Sequence, residues 1–185
     1  MEEIKNIFQM TLGEVCMSEK IYRDINKLKK ELDNFGYQVY VTSGGFDPLH
    51  VGHLRCIKES AEIAQRGTKI KNDWNPGVLV VIVNGDGFLD RKKGYHFMGI
   101  DERMEIIAGI EGVDFVLDWD DGSQTVSGAL ETIKPDFFLK GGDRDNRDNV
   151  PEFDVCKDIE CKVIFNVGGG KIQSSSELVE TMIKK

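Results

Sequence analysis

The stretch Tyr37-Gln38-Val39-Tyr40-Val41-Thr42-Ser43-Gly44-Gly45-Phe46-Asp47-Pro48-Leu49-His50-Val51-Gly52-His53 decides how this chain is built. Its first part, Tyr37–Val41, is a β-rich run. Two glycines and a proline break that run, and from Val51 to about Gln65 the pattern turns helical. Glycines at such a turn let backbone amides come close to a ligand, and a helix start just beyond it offers free N–H groups and a partial positive charge. His50 and His53 are three residues apart, so within one helical turn both rings can face the same point. The turn reads as an anion cradle. It is neither of the common phosphate loops, since G-x-x-x-x-G-K-[ST] lacks its lysine and G-x-G-x-x-G does not occur.

Outward from this turn the alternation continues. Val78–Val83 is a continuous apolar strand of the doubly buried type, followed by a helix at Asp101–Ile110, a strand at Asp114–Leu117 and a helix at Gln124–Ile133. Strands at Asp136–Leu139 and Lys162–Val167 and a last helix from Ser174 complete the series. The pattern predicts a doubly wound, mostly parallel five-stranded sheet of Rossmann-like α/β type, with ligands bound outside the carboxyl ends of the strands. Residues 37–185 form this domain. Residues 1–36 read as a helical extension: Ile21, Tyr22, Ile25, Leu28, Leu32 and Phe35 form one apolar stripe from Ser18 onward, stopped by Gly36. Arg66–Gly77 reads as an irregular surface insertion.

Composition removes several classes of function. The 185 residues carry 24 basic and 32 acidic side chains, a net charge of −8, which argues against a nucleic-acid partner. It leaves room for a small anionic substrate in a locally positive pocket. The longest apolar run, Val78 to Val83, is far short of the roughly 20 residues that span a bilayer, so no membrane partner is expected. Glu2 and Glu3 follow Met1 with no cationic run before an apolar one, which is not a secretory signal, and a cytoplasmic protein is expected. Cys16, Cys56, Cys156 and Cys161 form no C-x-x-C and are read as free thiols. His50 and His53 lack further residues at ligand spacing for zinc, and the Asp118–Asp121 and Asp143–Asp148 clusters fail the calcium-loop pattern. No protein metal site is expected.

At the other end of the chain Ser174 and Glu177 satisfy S-x-x-E, a helix capping box whose start can still bind phosphate through Ser175 and Ser176. Lys171 is either a phosphate contact or a surface lysine, and His96 stands alone in a loop.

Gly44-Gly45-Phe46-Asp47-Pro48-Leu49-His50-Val51-Gly52-His53 resembles the H-x-G-H motif of the cytidylyltransferase-like nucleotidyltransferases, and Ser174-Ser175-Ser176-Glu177-Leu178-Val179 is similar to that superfamily's second signature. Val83-Asn84-Gly85-Asp86, Lys93-Gly94, Asp101-Glu102-Arg103-Met104, Val113–Val116, Pro135-Asp136 and Lys140-Gly141-Gly142-Asp143 look like the heptose 1-phosphate adenylyltransferase and glycerol-3-phosphate cytidylyltransferase branch. The likeness covers residues 37–185. It departs from the family at the long Arg66–Gly77 insertion and at Gly168-Gly169-Gly170-Lys171, which replaces a more polar approach to the serines.

The resemblance implies transfer of a nucleoside monophosphate from ATP or CTP to a phosphorylated sugar or polyol, with release of pyrophosphate. His50, His53 and Arg55 then take the catalytic phosphate contacts. Gly44, Gly45, Phe46, Asp47, Gly52, Lys140, Gly141, Gly142, Asp143, Ser174, Ser175 and Ser176 hold the nucleotide. Asp86, Lys93, Arg103 and Lys171 face the acceptor. Mg2+ is expected to come with the nucleotide, because it keeps waters and bridges substrate phosphates. A homodimer is expected. A coenzyme adenylyltransferase and a non-catalytic nucleotide-binding module remain as alternatives.

Overall fold

The computed structural model describes residues 17–70, 73–142, 144, 146–170 and 172–183. Its main sheet is built from β1 (Ile21–Tyr22), β2 (Gln38–Gly44), β5 (Gly77–Asn84), β6 (Phe115–Trp119), β7 (Phe137–Gly142) and β8 (Lys162–Gly170), in the order β1-β6-β5-β2-β7-β8. Every neighbouring pair is parallel. The remaining strands, β3 (Thr68–Ile70) and β4 (Asp73–Asn75), pair with each other in an antiparallel hairpin, so the insertion read as irregular carries a small two-stranded sheet.

The helices are α1 (Ile25–Phe35), α2 (Val51–Arg66), α3 (Asp86–Lys93), α4 (Ile100–Ala108), α5 (Ser127–Ile133), α6 (Phe153–Asp158) and α7 (Ser175–Ile183). Two core layers result. Along β5, where all eight residues are buried, Val78, Val80 and Ile82 join one cluster with Leu28 and Leu32 of α1 and Ala129, Leu130 and Ile133 of α5. Leu79, Val81 and Val83 point the other way, toward Ile57, Ala61 and Ala64 of α2 and Met104 and Ile107 of α4. A strand covered on both faces needs apolar side chains at every position, which is why it reads as an unbroken run.

The sheet has six strands where five were expected, and the sixth comes from the extension. Ile21 and Tyr22, assigned from sequence to a helical stripe beginning at Ser18, pair instead with Val116 and Leu117. The helix starts after Asp24, whose carboxylate accepts the Asn26 N–H at 2.9 Å, and ends at Gly36 with φ +63°. Periodicity put Ile21 and Tyr22 on one apolar stripe, but as strand neighbours they are half-buried on opposite faces of the sheet, Tyr22 against one core layer and Ile21 against the other. Lys20 Nζ donates to the Val113 carbonyl (2.9 Å) and Arg23 Nη1 to Asp118 (3.0 Å), tying this segment to the sheet edge.

From β2 the chain proceeds to β5 and β6 on one side, then returns to β7 and β8 on the other. The direction reverses between β2 and β7, and the ends of those two strands open into a cavity, as the doubly wound architecture requires.

Candidate active site

The cavity has a volume of about 430 Å³, within the range of nucleotide-sized pockets. Its walls include Thr42–Asp47, His50, Gly52 and His53 from the β2–α2 turn, Lys140–Gly142 at the end of β7, Gly168–Gly170 at the end of β8, and Ser174–Ser176 at the start of α7. The two sequence signatures, about 120 residues apart, meet here. Ser175 Oγ donates to the Pro48 carbonyl at 3.0 Å and joins them directly.

Close packing explains several glycines. A Cβ on Gly44 would stand 2.9 Å from the Phe46 ring, one on Gly45 2.8 Å from Leu89, and one on Gly168 (φ +84°) 2.6 Å from the backbone of Cys56. The last of these brings the end of β8 onto the first turns of α2. Phe46 takes φ +52° without being a glycine, and its ring is buried edge-on to His53 at 5.2 Å.

His50 is the N-cap of α2. Its Nδ1 accepts the N–H groups of Gly52 (3.1 Å) and His53 (3.4 Å). Two of the backbone donors expected to be free for an anion are therefore spent on an imidazole, which leaves Nε2 of His50 as the protonated nitrogen. The His50 and His53 rings stack with centroids 3.7 Å apart, and His53 Nδ1 is buried with no hydrogen-bond partner among the described groups. Burial lowers the pKa of His50, and burial together with positive charge on His50 and Lys93 lowers that of His53 to about 4. Both rings are neutral at pH 7. The rings therefore offer the cavity N–H dipoles and not imidazolium charge.

Several expected contacts fall elsewhere. Asp47 does not offer its carboxylate to a ligand: the side chain is fully buried and accepts from Lys93 Nζ (2.7 Å), Phe97 N–H (2.8 Å) and Met98 N–H (2.7 Å). Burial favours its neutral form, yet Lys93 and the two amides outweigh that and hold its pKa below the usual value. Lys93, expected on the acceptor, borders the cavity with its ammonium committed to Asp47. Arg103 is 1% exposed and is no phosphate contact. Nε donates to the Met98 carbonyl (2.9 Å), Nη1 to the carbonyls of Gly45 (2.8 Å) and Asn84 (2.6 Å), and Nη2 to Asp86. Asp86 also accepts the Ile100 N–H at 3.3 Å and lies outside the cavity wall. Arg55 is exposed and outside it too, because two residues past His53 means a turn of roughly 200° around the helix. Asp143 and Lys171 lie outside the described residues. His96, read as bland, pairs with Asp90 at 2.9 Å on the surface.

The cavity also holds residues that sequence left without a role. Lys92, one position before the expected Lys93, lines it with its ammonium 5.6 Å from the Phe88 ring; the available signal was that Phe88 and Lys92 share a helix face at i and i+4. Glu152 and Arg144 come from a segment whose short helix, α6, has too few residues to show a period. Lys140 was expected and is there, with Nζ 3.7 Å from Glu152 Oε2 and 4.5 Å from the Phe138 ring centroid. Cys56, Cys156 and Cys161 are free thiols. No group of three or more His, Cys, Asp or Glu side chains placed to hold a metal is found among the described residues, and no helix among them is long and apolar enough to cross a membrane.

A histidine-capped helix at the central strand of a doubly wound sheet thus faces a serine-rich helix start across one cavity. The chain belongs to the cytidylyltransferase-like family, whose model matches residues 41–164. It is 31% identical over 133 residues to a Bifunctional protein HldE of Aliarcobacter butzleri, covering 71% of this chain and 25% of that protein. With a protein of the same name from a Nitratiruptor species it shares 28% over 165 residues, 88% of this chain and 31% of the relative. The chain thus spans about a quarter to a third of these relatives. Its fold is similar to that of a lipopolysaccharide core biosynthesis protein from Thermoplasma volcanium (TM-score 0.56, 22% identity, covering 74% of this chain and all of that one).

Proposed function

We propose that the enzyme transfers a nucleoside monophosphate from ATP, or from CTP, to a phosphorylated sugar or polyol, and that its reaction is most like that of a heptose 1-phosphate adenylyltransferase. The relatives named above support the branch. The observation that carries the reaction is the convergence of the neutral His50–His53 pair and Ser174–Ser176 on one cavity.

An oxygen of the acceptor phosphate attacks the α-phosphorus, and the bond from that phosphorus to the α–β bridging oxygen breaks as pyrophosphate leaves. The acceptor is already anionic, so the protein supplies alignment and charge stabilisation more than proton transfer. His50 Nε2–H and the N-terminus of α7 stabilise charge on the departing phosphates, and Gly141 and Gly142 let backbone come close to the base. Mg2+ enters as part of the nucleotide substrate and supplies charge neutralisation on its phosphates. A cytoplasmic homodimer belongs to the same proposal, its mass read by light scattering.

Pyrophosphate release, measured with each of the four nucleoside triphosphates against a panel of sugar and polyol phosphates, tests the reading. Turnover with a hexose or heptose 1-phosphate and ATP is expected. Turnover only with glycerol 3-phosphate and CTP moves the enzyme to the cytidylyltransferase side. Turnover only with phosphopantetheine or nicotinate mononucleotide makes it a coenzyme adenylyltransferase, and nucleotide binding without any pyrophosphate leaves a binding module.

A further inference from the structure

We propose that Glu152 is a positioning residue, holding the Lys140 ammonium at the cavity wall for contact with a substrate anion. The inference rests on the transfer reaction proposed above. Lys140 lies in the second half of β7 and its side chain is 13% exposed; that of Glu152, just before α6, is 8% exposed. An isolated ammonium so placed favours neutrality, and a carboxylate so placed does the same. They face each other at 3.7 Å, close enough for ion pairing and too far for a full hydrogen bond. Glu152 is fixed from the other side, where Oε1 accepts the Val126 N–H at 3.4 Å, while Oε2 has no hydrogen-bond partner among the described residues. Lys140 Nζ rests on the Phe138 ring and, among the described residues, donates to no carbonyl, unlike the ammonium of Lys93. The pairing opposes neutralisation of the lysine without using up its donors, which is what a group awaiting a phosphate needs.

The surroundings of Lys140 pull both ways: burial, with Arg144 and Lys92, holds its pKa below the ordinary lysine value, while Glu152 and Cys56 oppose that shift; Cys156 also lies within its field. Among these groups Glu152 has the largest effect favouring the charged form. A second cation nearby would not substitute for it.

The test is the pH profile of kcat/KM for pyrophosphate release by the full chain, in wild type, Glu152→Gln, Lys140→Arg and Lys140→Met. Glu152→Gln keeps an acceptor for the Val126 N–H. It is expected to lower kcat/KM at pH 7 about tenfold and to move the alkaline limb to lower pH by about one unit, since a buried lysine without its counter-charge deprotonates sooner. Lys140→Arg cannot lose its proton, so its profile is expected to lack that limb. Lys140→Met is expected to lose more than Glu152→Gln. A Glu152→Gln profile of unchanged shape overturns the proposal, as does a persistent alkaline limb in Lys140→Arg, which also decides the matter if Glu152→Gln does not fold. Unchanged kcat/KM in Lys140→Met overturns it as well. Absence of pyrophosphate release by wild type with every substrate pair fails the proposed reaction itself, a different result from any of these.

Discussion

The two walls of the cavity are built on opposite plans. On the wall formed by the β2–α2 turn and the end of α3, and in the layer of Arg103 and the α3–α4 connection behind it, polar groups are spent within the protein. Asp47 takes three donors, Arg103 reaches three carbonyls and a carboxylate, and His50 caps its own helix. On the wall formed by β7, β8 and the start of α7, Lys140 and the Ser174–Ser176 hydroxyls border the cavity with capacity to spare. In the proposed reaction the first wall is a frame and the second a receptor. Damage to the frame should appear as lost stability, and damage to the receptor as lost affinity or rate.

The sharpest way to break this contrast is Arg103→Ala. It orphans the carbonyls of Gly45, Asn84 and Met98 and leaves Asp86 without its cation. Removing one partner of such a buried charged network costs about 3–5 kcal/mol. Denaturant unfolding should show that loss, and Lys93→Met should follow it, since Asp47 would remain buried and unpaired. If Arg103→Ala unfolds like wild type but loses turnover, Arg103 belongs to the receptor and the contrast fails.

His53 belongs to this wall but lines the cavity, and in the proposed reaction it should behave differently. His53→Ala is expected to fold, by circular dichroism, and to lose about 10²–10³ in kcat/KM, the effect of deleting one stabilising donor at developing charge. Unchanged pyrophosphate release from a folded variant would remove His53 from the site.

This contrast also explains what was readable in the sequence. Receptor residues such as Lys140, Gly141 and Ser174–Ser176 sit at strand ends and helix starts, positions that glycine, serine and apolar periodicity mark locally. The role of a frame residue depends on what it meets far away. Lys93 and Asp47 are 46 residues apart, and Arg103 reaches Gly45 over 58. Nothing at either position announces its partner, so a buried clamp reads like an exposed phosphate ligand. Glu152 was hidden for a related reason, since the helix it precedes has six residues and gives no period to read. The edge strand Ile21–Tyr22 was hidden by its length, and the doubly buried Val78–Val83 was plain because every residue in it is apolar.

Acid stability offers a finer probe of the frame. His53 has a folded pKa of about 4 against an ordinary 6.5, so the unfolded chain binds more protons between those values and stability falls as pH drops through that window. Asp114, whose carboxylate accepts the Leu79 N–H at 2.7 Å, is shifted the other way: burial raises it to about 6 against the pull of that amide and of Lys20. The folded state then binds more protons between the usual 3.8 and about 6, and stability rises as pH drops there. The two slopes oppose each other. Asp114→Asn keeps the hydrogen bond and removes the second slope, so the variant should lose ground to wild type as pH falls from 6.5 to 4, by on the order of 2 kcal/mol. Parallel stability curves for the two proteins would show that Asp114 does not titrate in this window.

The smallest effect, and the one that probes the seam between the walls, is expected from Ser175→Ala. Its hydroxyl donates from the receptor helix to the Pro48 carbonyl of the frame. A neutral hydrogen bond of this kind is worth about 1 kcal/mol, and the half-buried carbonyl left behind can turn to water, so Tm should move by only a few degrees. The start of α7 would lose its link to the His50 turn, and its N–H groups would no longer be held against the nucleotide phosphates. KM for the nucleotide should therefore rise several-fold while kcat changes less. A fall in Tm with KM unchanged would make Ser175 part of the frame and move the boundary between the walls to the far side of α7.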